Sequence, residues 1–343
     1  MEGDVKSRIT KKSLKLSKRN LIIAVAVFIL LLIMPQFLSA YLNGVAVRVM
    51  IYILLVASMN IVNGYTGQFT VGQMGFANVG AYVTAIMMTN YEISFWIAVV
   101  VSGLAASLMG ALVSYPARKL SGLYLAAVTL GFSEILRVIA LNWISVTGGA
   151  MGIAGIPVPE IFGFRLSTPL STFYMVFAFI VIMLICNYCV ISSKVGRAWI
   201  SIRENEEAAK SLGINTYRYK SLGFIYGGFW AGIAGAVMAV FYRFIDSNMF
   251  SMADNFDVLA MMIIGGQGTL FGPIVGSTLV IGSLEAFRFT AAYRGIIFGG
   301  VIIFMMWVRP QGILGKSTKD GPIKMFYNKL VSRSKANRKG GTA

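Results

Sequence analysis

The chain has 343 residues, 57% of them hydrophobic and only 13% charged, with a mean hydropathy of +0.74. A soluble domain carries about 25% charged residues, so the composition excludes an ordinary soluble enzyme and fits a polytopic membrane protein with one large integral domain. Histidine is absent, which removes histidine acid–base chemistry and histidine metal sites, and the net charge of +17 is better explained by the positive-inside rule than by nucleic acid.

The predicted elements follow in chain order. Residues 1–20 form a basic tail with seven Lys/Arg. The first span is Leu21–Ala40. A cleaved secretory signal ending at Leu38-Ser39-Ala40 is the rival reading, but little soluble sequence follows that would need export. The second span is Ala46–Asn63, and a glycine-rich break separates it from Met74–Thr89. A fourth runs Ile93–Tyr115 and ends at Arg118-Lys119. A fifth is Leu123–Trp143. The Gly/Pro-rich stretch Thr147–Pro169 reads as an outside loop. A sixth span, Leu170–Val190, leads into the polar stretch Gly196–Ile214. A seventh is Tyr219–Tyr242. Phe256–Ile264 and Phe271–Phe287 flank a second glycine-rich break, and Gly295–Val308 is the last apolar run. A full crossing needs roughly 20 residues, so Phe256–Ile264 is a broken or re-entrant piece. The expected fold is all-α, a polytopic helical bundle of about 8–10 transmembrane helices. Residues 21–308 form the membrane domain, and 309–343 form a second basic tail.

Twenty-four of the 30 Lys/Arg fall in four clusters: residues 1–20, 118–119, 194–220 and 309 onward. Placing all four on the cytoplasmic side puts both termini there too. The tails are too polar to pack and suit anionic lipid head groups.

The breaks share a pattern. Gly67-Gln68-Phe69-Thr70 is followed by Gly72, and Gly266-Gln267-Gly268-Thr269 by Gly272. Backbone that leaves the helix inside a bilayer must be buried in protein or line a polar cavity. Paired interruptions in two halves of a transporter point to the substrate path. Close helix packing on small residues is the competing explanation. The path candidates are Gly64, Gly67, Gln68, Thr70, Gly72, Gln73, Gly265, Gly266, Gln267 and Gly272. Glu134 and Arg137, three apart inside the fifth span, join them, because charge at membrane depth is costly. A self-neutralising pair that fixes helix register is the alternative, and it is preferred for Glu285 and Arg288, near an interface.

Gly196–Ile214 is predicted as one helix. Ser201 and Glu204 fit a capping box. Glu206 and Lys210 form a favourable i,i+4 pair. Gly213 suits the left-handed residue that stops a helix. Two further features carry little. Cys186 and Cys189 lie one turn apart in an apolar run and read as packing rather than redox chemistry. Gly315-Lys316-Ser317 ends like a P-loop, but it follows a membrane span instead of a strand, so nucleotide binding there is rejected.

Glu207-Ala208-Ala209 with Gly213 resembles the "EAA…G" loop of ABC importer permeases, although no Leu-Pro follows as it often does there. Thr129-Leu130-Gly131-Phe132-Ser133-Glu134-Ile135-Leu136-Arg137, then Asn142-Trp143, Thr147-Gly148-Gly149 and Gly152-Ile153, resemble the M-type permease of branched-chain amino-acid ABC importers. So do Gly122-Leu123-Tyr124, Gly64-Tyr65-Thr66-Gly67-Gln68, Gly265-Gly266 with Gly272-Pro273, and the closing Arg309-Pro310-Gln311-Gly312. The resemblance covers about residues 45–315.

That resemblance implies a multi-pass subunit of the cell membrane paired with an H-type permease in a heterodimer. It also implies two ATPase subunits and an extracytoplasmic binding protein, with no nucleic acid. It assigns Arg203, Glu206, Glu207, Ala208, Ala209 and Gly213 to ATPase coupling. This chain would bind no cofactor and carry no catalytic residue or metal. ATP and Mg would be used by the partner ATPases. The expected substrates are leucine, isoleucine and valine, with urea or short amides as the alternative. A lone proton-coupled carrier using Glu134 is the rival class, and it does not need the coupling helix. A structural scaffold leaves the two breaks unexplained.

Overall fold

The computed structural model describes residues 34–117, 120–161, 163–286, 299–300 and 312–314. The predicted spans Leu21–Ala40 (up to residue 33) and Gly295–Val308, the basic tails, Arg118-Lys119, Arg288 and the P-loop lookalike lie outside the described residues.

Ten helices of six or more residues form the described structure. They are α1 (Ala40–Asn60), α2 (Gln73–Asn90), α3 (Phe95–Ala117), α4 (Gly122–Asn142), α5 (Pro169–Ser192), α6 (Lys194–Glu204), α7 (Glu206–Ser211), α8 (Thr216–Tyr242), α9 (Met252–Gly265) and α10 (Gly272–Ala286). Their starts are chemically marked. The Ser39 hydroxyl caps α1 by accepting from Leu42 N at 3.3 Å. Pro169 opens α5, where its missing N–H costs nothing, and Thr168 caps it. Ser251 and Asp254 form a reciprocal capping box at α9.

Among the described residues, five helices are long and apolar enough to cross a membrane: α1 with its extension to Tyr65, α3, α4, α5 and α8. The protein is an all-α multi-pass membrane bundle. α9, at 14 residues, is too short for a full hydrocarbon core of about 30 Å, and α10 follows it. They turn back on each other through the second break, and a Cβ at Gly276 would meet Met261 O.

α8 is the central helix and packs on α1, α2 and α3. Lipid tails are as apolar as leucine, so burial alone gives membrane helices little reason to associate; close packing of small residues does. α8 supplies Gly228, Gly232 and Gly235 for this. A Cβ at Gly235 would strike Ala77 O, and one at Gly232 would come within 2.6 Å of Ser102 O. α4 and α5 sit at the periphery with most of their length open.

The stretch predicted as a loop, Thr147–Pro169, contains two-residue strands. β1 (Ile153–Ala154) pairs antiparallel with β4 (Phe244–Ile245), just past the C-terminus of α8, and β2 (Glu160–Ile161) pairs with β3 (Phe164–Arg165). These mark one end of the bundle. α6, α7 and both glycine-rich breaks mark the other.

Candidate functional site

The polar stretch is two helices rather than the single one predicted. Ser201 lies inside α6, and its hydroxyl donates to Arg197 O at 3.0 Å, so the predicted Ser201–Glu204 capping box does not form. The cap of α6 is Ser193, which accepts from Val195 N. The break falls at Asn205, which is extended and accepts from Ala208 N at 3.0 Å to cap α7. An Asn side chain offers the backbone an alternative partner and so favours a cap over a helix interior. Gly213 holds φ +80°, the left-handed stop expected of it.

α6 is bolted to the bundle by one face. Trp199 is fully buried and donates its indole N–H to Tyr219 O at 2.8 Å. Its ring lies 6.3 Å from that of Tyr226, whose hydroxyl donates to Asn187 Oδ1 on α5. Ala209 is buried and Ala208 exposed. Glu206 forms the expected pair with Lys210 at 3.6 Å, but its shorter bond, 2.6 Å, goes to Lys220 on α8. Burial pushes the Glu206 carboxyl up. The hydrogen bond and charge of Lys220, with help from Lys210 and Thr216, outweigh that and hold it below the usual range. Glu207 points outward and pairs with Lys210 at 2.9 Å. Leu212, at the tip, is 80% exposed.

The two breaks are turns of helical hairpins, and they meet. α1 ends in a π turn, Ile61–Tyr65, a local unwinding often found at functional sites. The chain then doubles back, with Asn63 facing Thr70 and Ser58 facing Gln73. Asn60 reaches the second break twice: its amide donates to Thr269 O at 2.8 Å, and its Oδ1 accepts from Gly268 N at 2.8 Å. A Cβ at Gly64 would collide with Asn60 Oδ1 and with the backbone N of Gly268. Arg203 of α6 closes the junction by donating to Gly64 O at 2.8 Å. A Cβ at Gly67 would lie 2.7 Å from Arg203 Cγ, and one at Gly268 2.6 Å from Arg203 Nη1.

The other path candidates are largely engaged inside the fold. Gln68 is buried and donates to Thr66 Oγ1 and to Lys220 O. Thr70 bonds Asn63, and Gln73 donates to Ser58 Oγ and Gly227 O. Gly72 sits against Thr129 O. Gly265 and Gly266 are buried beside Gly272, while Gln267 is exposed at the turn. Further along the chain, Ile313 N donates to Ile264 O and Gly312 packs on Gly266, which ties these two residues to the second break. Glu134 and Arg137 stand apart from this junction. They pair on α4 with Nε to Oε1 at 2.9 Å, on a partly open face.

Sequence reasoning missed three residues. Asn60 is the strut between the breaks, and its signal was a lone amide ending an apolar run. Asn255 on α9 accepts from Met74 N and donates to Ser133 Oγ, joining α9, α2 and α4. Arg48 is a solitary cation within α1. Its Nε is buried without a hydrogen bond.

Residues 41–306 match the family described as "Branched-chain amino acid transport system / permease component". The chain belongs to this family. It is 34% identical over 313 residues to the high-affinity branched-chain amino acid transport system permease protein LivM of Escherichia coli, covering 84% of this chain and 74% of the relative. It is 26% identical to the permease protein LivH of Salmonella typhimurium, covering 82% and 96%. A probable branched-chain amino acid transport permease protein LivM from Methanocaldococcus jannaschii shows 24% identity, covering 64% and 67%. No solved structure matches the chain.

Proposed function

We propose that this permease is the M-type half of an ABC importer that moves branched-chain amino acids into the cytoplasm, driven by ATP hydrolysed on separate subunits. In this reading α6, α7 and both breaks face the cytoplasm, as do the termini. The basic residues between Lys194 and Lys220 favour that side. An H-type permease, two ATPases and an extracytoplasmic binding protein complete the assembly. The relatives of both permease names support a paired architecture. This chain itself binds no nucleotide and catalyses nothing.

One observation carries the reading. The α6–α7 unit is fixed to the bundle on one face and leaves Glu207, Leu212 and the Gly213 turn exposed on the other. A leucine 80% exposed at a polar tip fits a partner's cleft. Leu212→Cys in the assembled transporter is expected to cross-link to an ATPase subunit through a short bifunctional reagent. Met151→Cys, 87% exposed at the opposite end, is expected to give no such product. Cross-linking at Met151 but not at Leu212 would overturn the assignment.

A further inference from the structure

One guanidinium of α6, that of Arg203, touches both glycine-rich turns. Gly64 O lies in the π turn, where the regular i→i−4 ladder is interrupted. Thr66 N bonds Ile61 O and Gln68 N bonds Val62 O. Arg203 Nη1 supplies the donor to Gly64 O and packs against Gly268, while Nη2 is held by Glu204 at 2.7 Å. The planar fork lets one side chain serve two directions at once, which a lysine ammonium does not reproduce. Asn60 locks the turns to each other by two further bonds. A second link runs in parallel: Glu206 holds Lys220, whose carbonyl accepts from Gln68 of the first break. α6 is in turn tied to α5 and α8 through Trp199 and Tyr226. Its last full turn, which carries Arg203, ends at the Asn205 hinge before the exposed tip.

We propose that Arg203 is a positioning residue that staples the two hairpin turns to α6 and passes motion of the α6–α7 unit to both turns together, rather than a contact for the ATPase. The transmission role rests on the importer reading; the staple rests on the geometry alone. A residue that docks a partner faces outward, as Glu207 and Leu212 do. Arg203, with its side chain 33% exposed, nonetheless directs Nη1 inward, to the backbone of the π turn that follows α1.

The test has two arms, both with Arg203→Gln and Arg203→Lys. In the first, the full chain in lipid nanodiscs is followed by amide hydrogen exchange. Losing a charged hydrogen bond is expected to speed exchange at residues 60–70 and 264–272 by roughly tenfold in R203Q, with R203K intermediate. Unchanged exchange in both turns overturns the staple. In the second arm the complete transporter is reconstituted with its binding protein. R203Q is expected to retain its ATPase subunits and hydrolyse ATP, while the ATP spent per substrate moved rises severalfold. R203K restores part of the coupling. Release of the ATPase by R203Q overturns the proposal and makes Arg203 a docking contact, and so does an unchanged ATP-to-substrate ratio. A wild-type assembly with no ATP-dependent uptake overturns the importer reading and the transmission role with it, while the exchange arm still decides the staple.

Discussion

Glu206 decides how α7 sits on the bundle. Its carboxylate bonds Lys220 at 2.6 Å, and the Lys220 side chain is only 13% exposed. Glu206→Gln leaves that cation without its partner, at a cost of about 1–2 kcal/mol, between the worth of an exposed pair and the loss of a buried one. The folded carboxyl is held below its ordinary value. Its contribution is therefore present above the unfolded value, about 4.3, and is lost as pH falls through the folded one. Glu206→Gln is expected to lower the thermal midpoint at pH 7, and the gap to wild type should shrink in acid below about pH 4. A gap that stays constant with pH would contradict the role. The Glu206–Lys210 pair was legible because both residues lie on one short helix. The Lys220 bond was not, because it depends on how α8 packs. Asn205 is a similar case: its capping chemistry is local, but the spacing of Ser201 and Glu204 offered a competing pattern that tertiary anchoring at Trp199 overrides.

The elements most visible in sequence were the long apolar helices, whose predicted bounds lie within a few residues of the observed ones except at the N-terminus of α1, which begins six residues early. The glycine-rich breaks were also visible, but their form was not. Sequence marks an interruption; it does not show that each is the turn of a hairpin, or that Asn60 pins one turn to the other. Gly64 tests that arrangement. An added Cβ meets backbone at Gly268, which cannot swing aside as a flexible side chain can. Gly64→Ala is expected to lower the thermal midpoint by several degrees, a cost of about 1–3 kcal/mol for overpacking. Gly131 stands on the open face of α4, and a Cβ added there would meet nothing within 4 Å. Gly131→Ala is expected to leave the midpoint unchanged or raise it slightly, since Ala is the better helix former. Equal effects at the two sites would contradict the close contact between the breaks.

At the scale of the whole molecule, membrane character and family were both legible. Composition excluded a soluble protein, and the Thr129–Arg137 and Gly64–Gln68 segments carried the resemblance that the family match bears out. The internal wiring was hidden, since it joins residues as far apart as Asn60 and Gly268. The described helices hold a polar junction at one end and a strand-braced loop at the other, with Glu134 and Arg137 away from the junction. In the proposed reading, α6 and α7 give such a molecule a surface for an outside motor. The central claim is that this chain is one part of an ATP-driven importer. The most direct measurement compares leucine accumulation in liposomes holding the purified chain alone under an imposed proton gradient with that in liposomes holding the complete assembly, binding protein and ATP. The account predicts no accumulation in the first and ATP-dependent accumulation in the second. Robust gradient-driven uptake by the chain alone would contradict it.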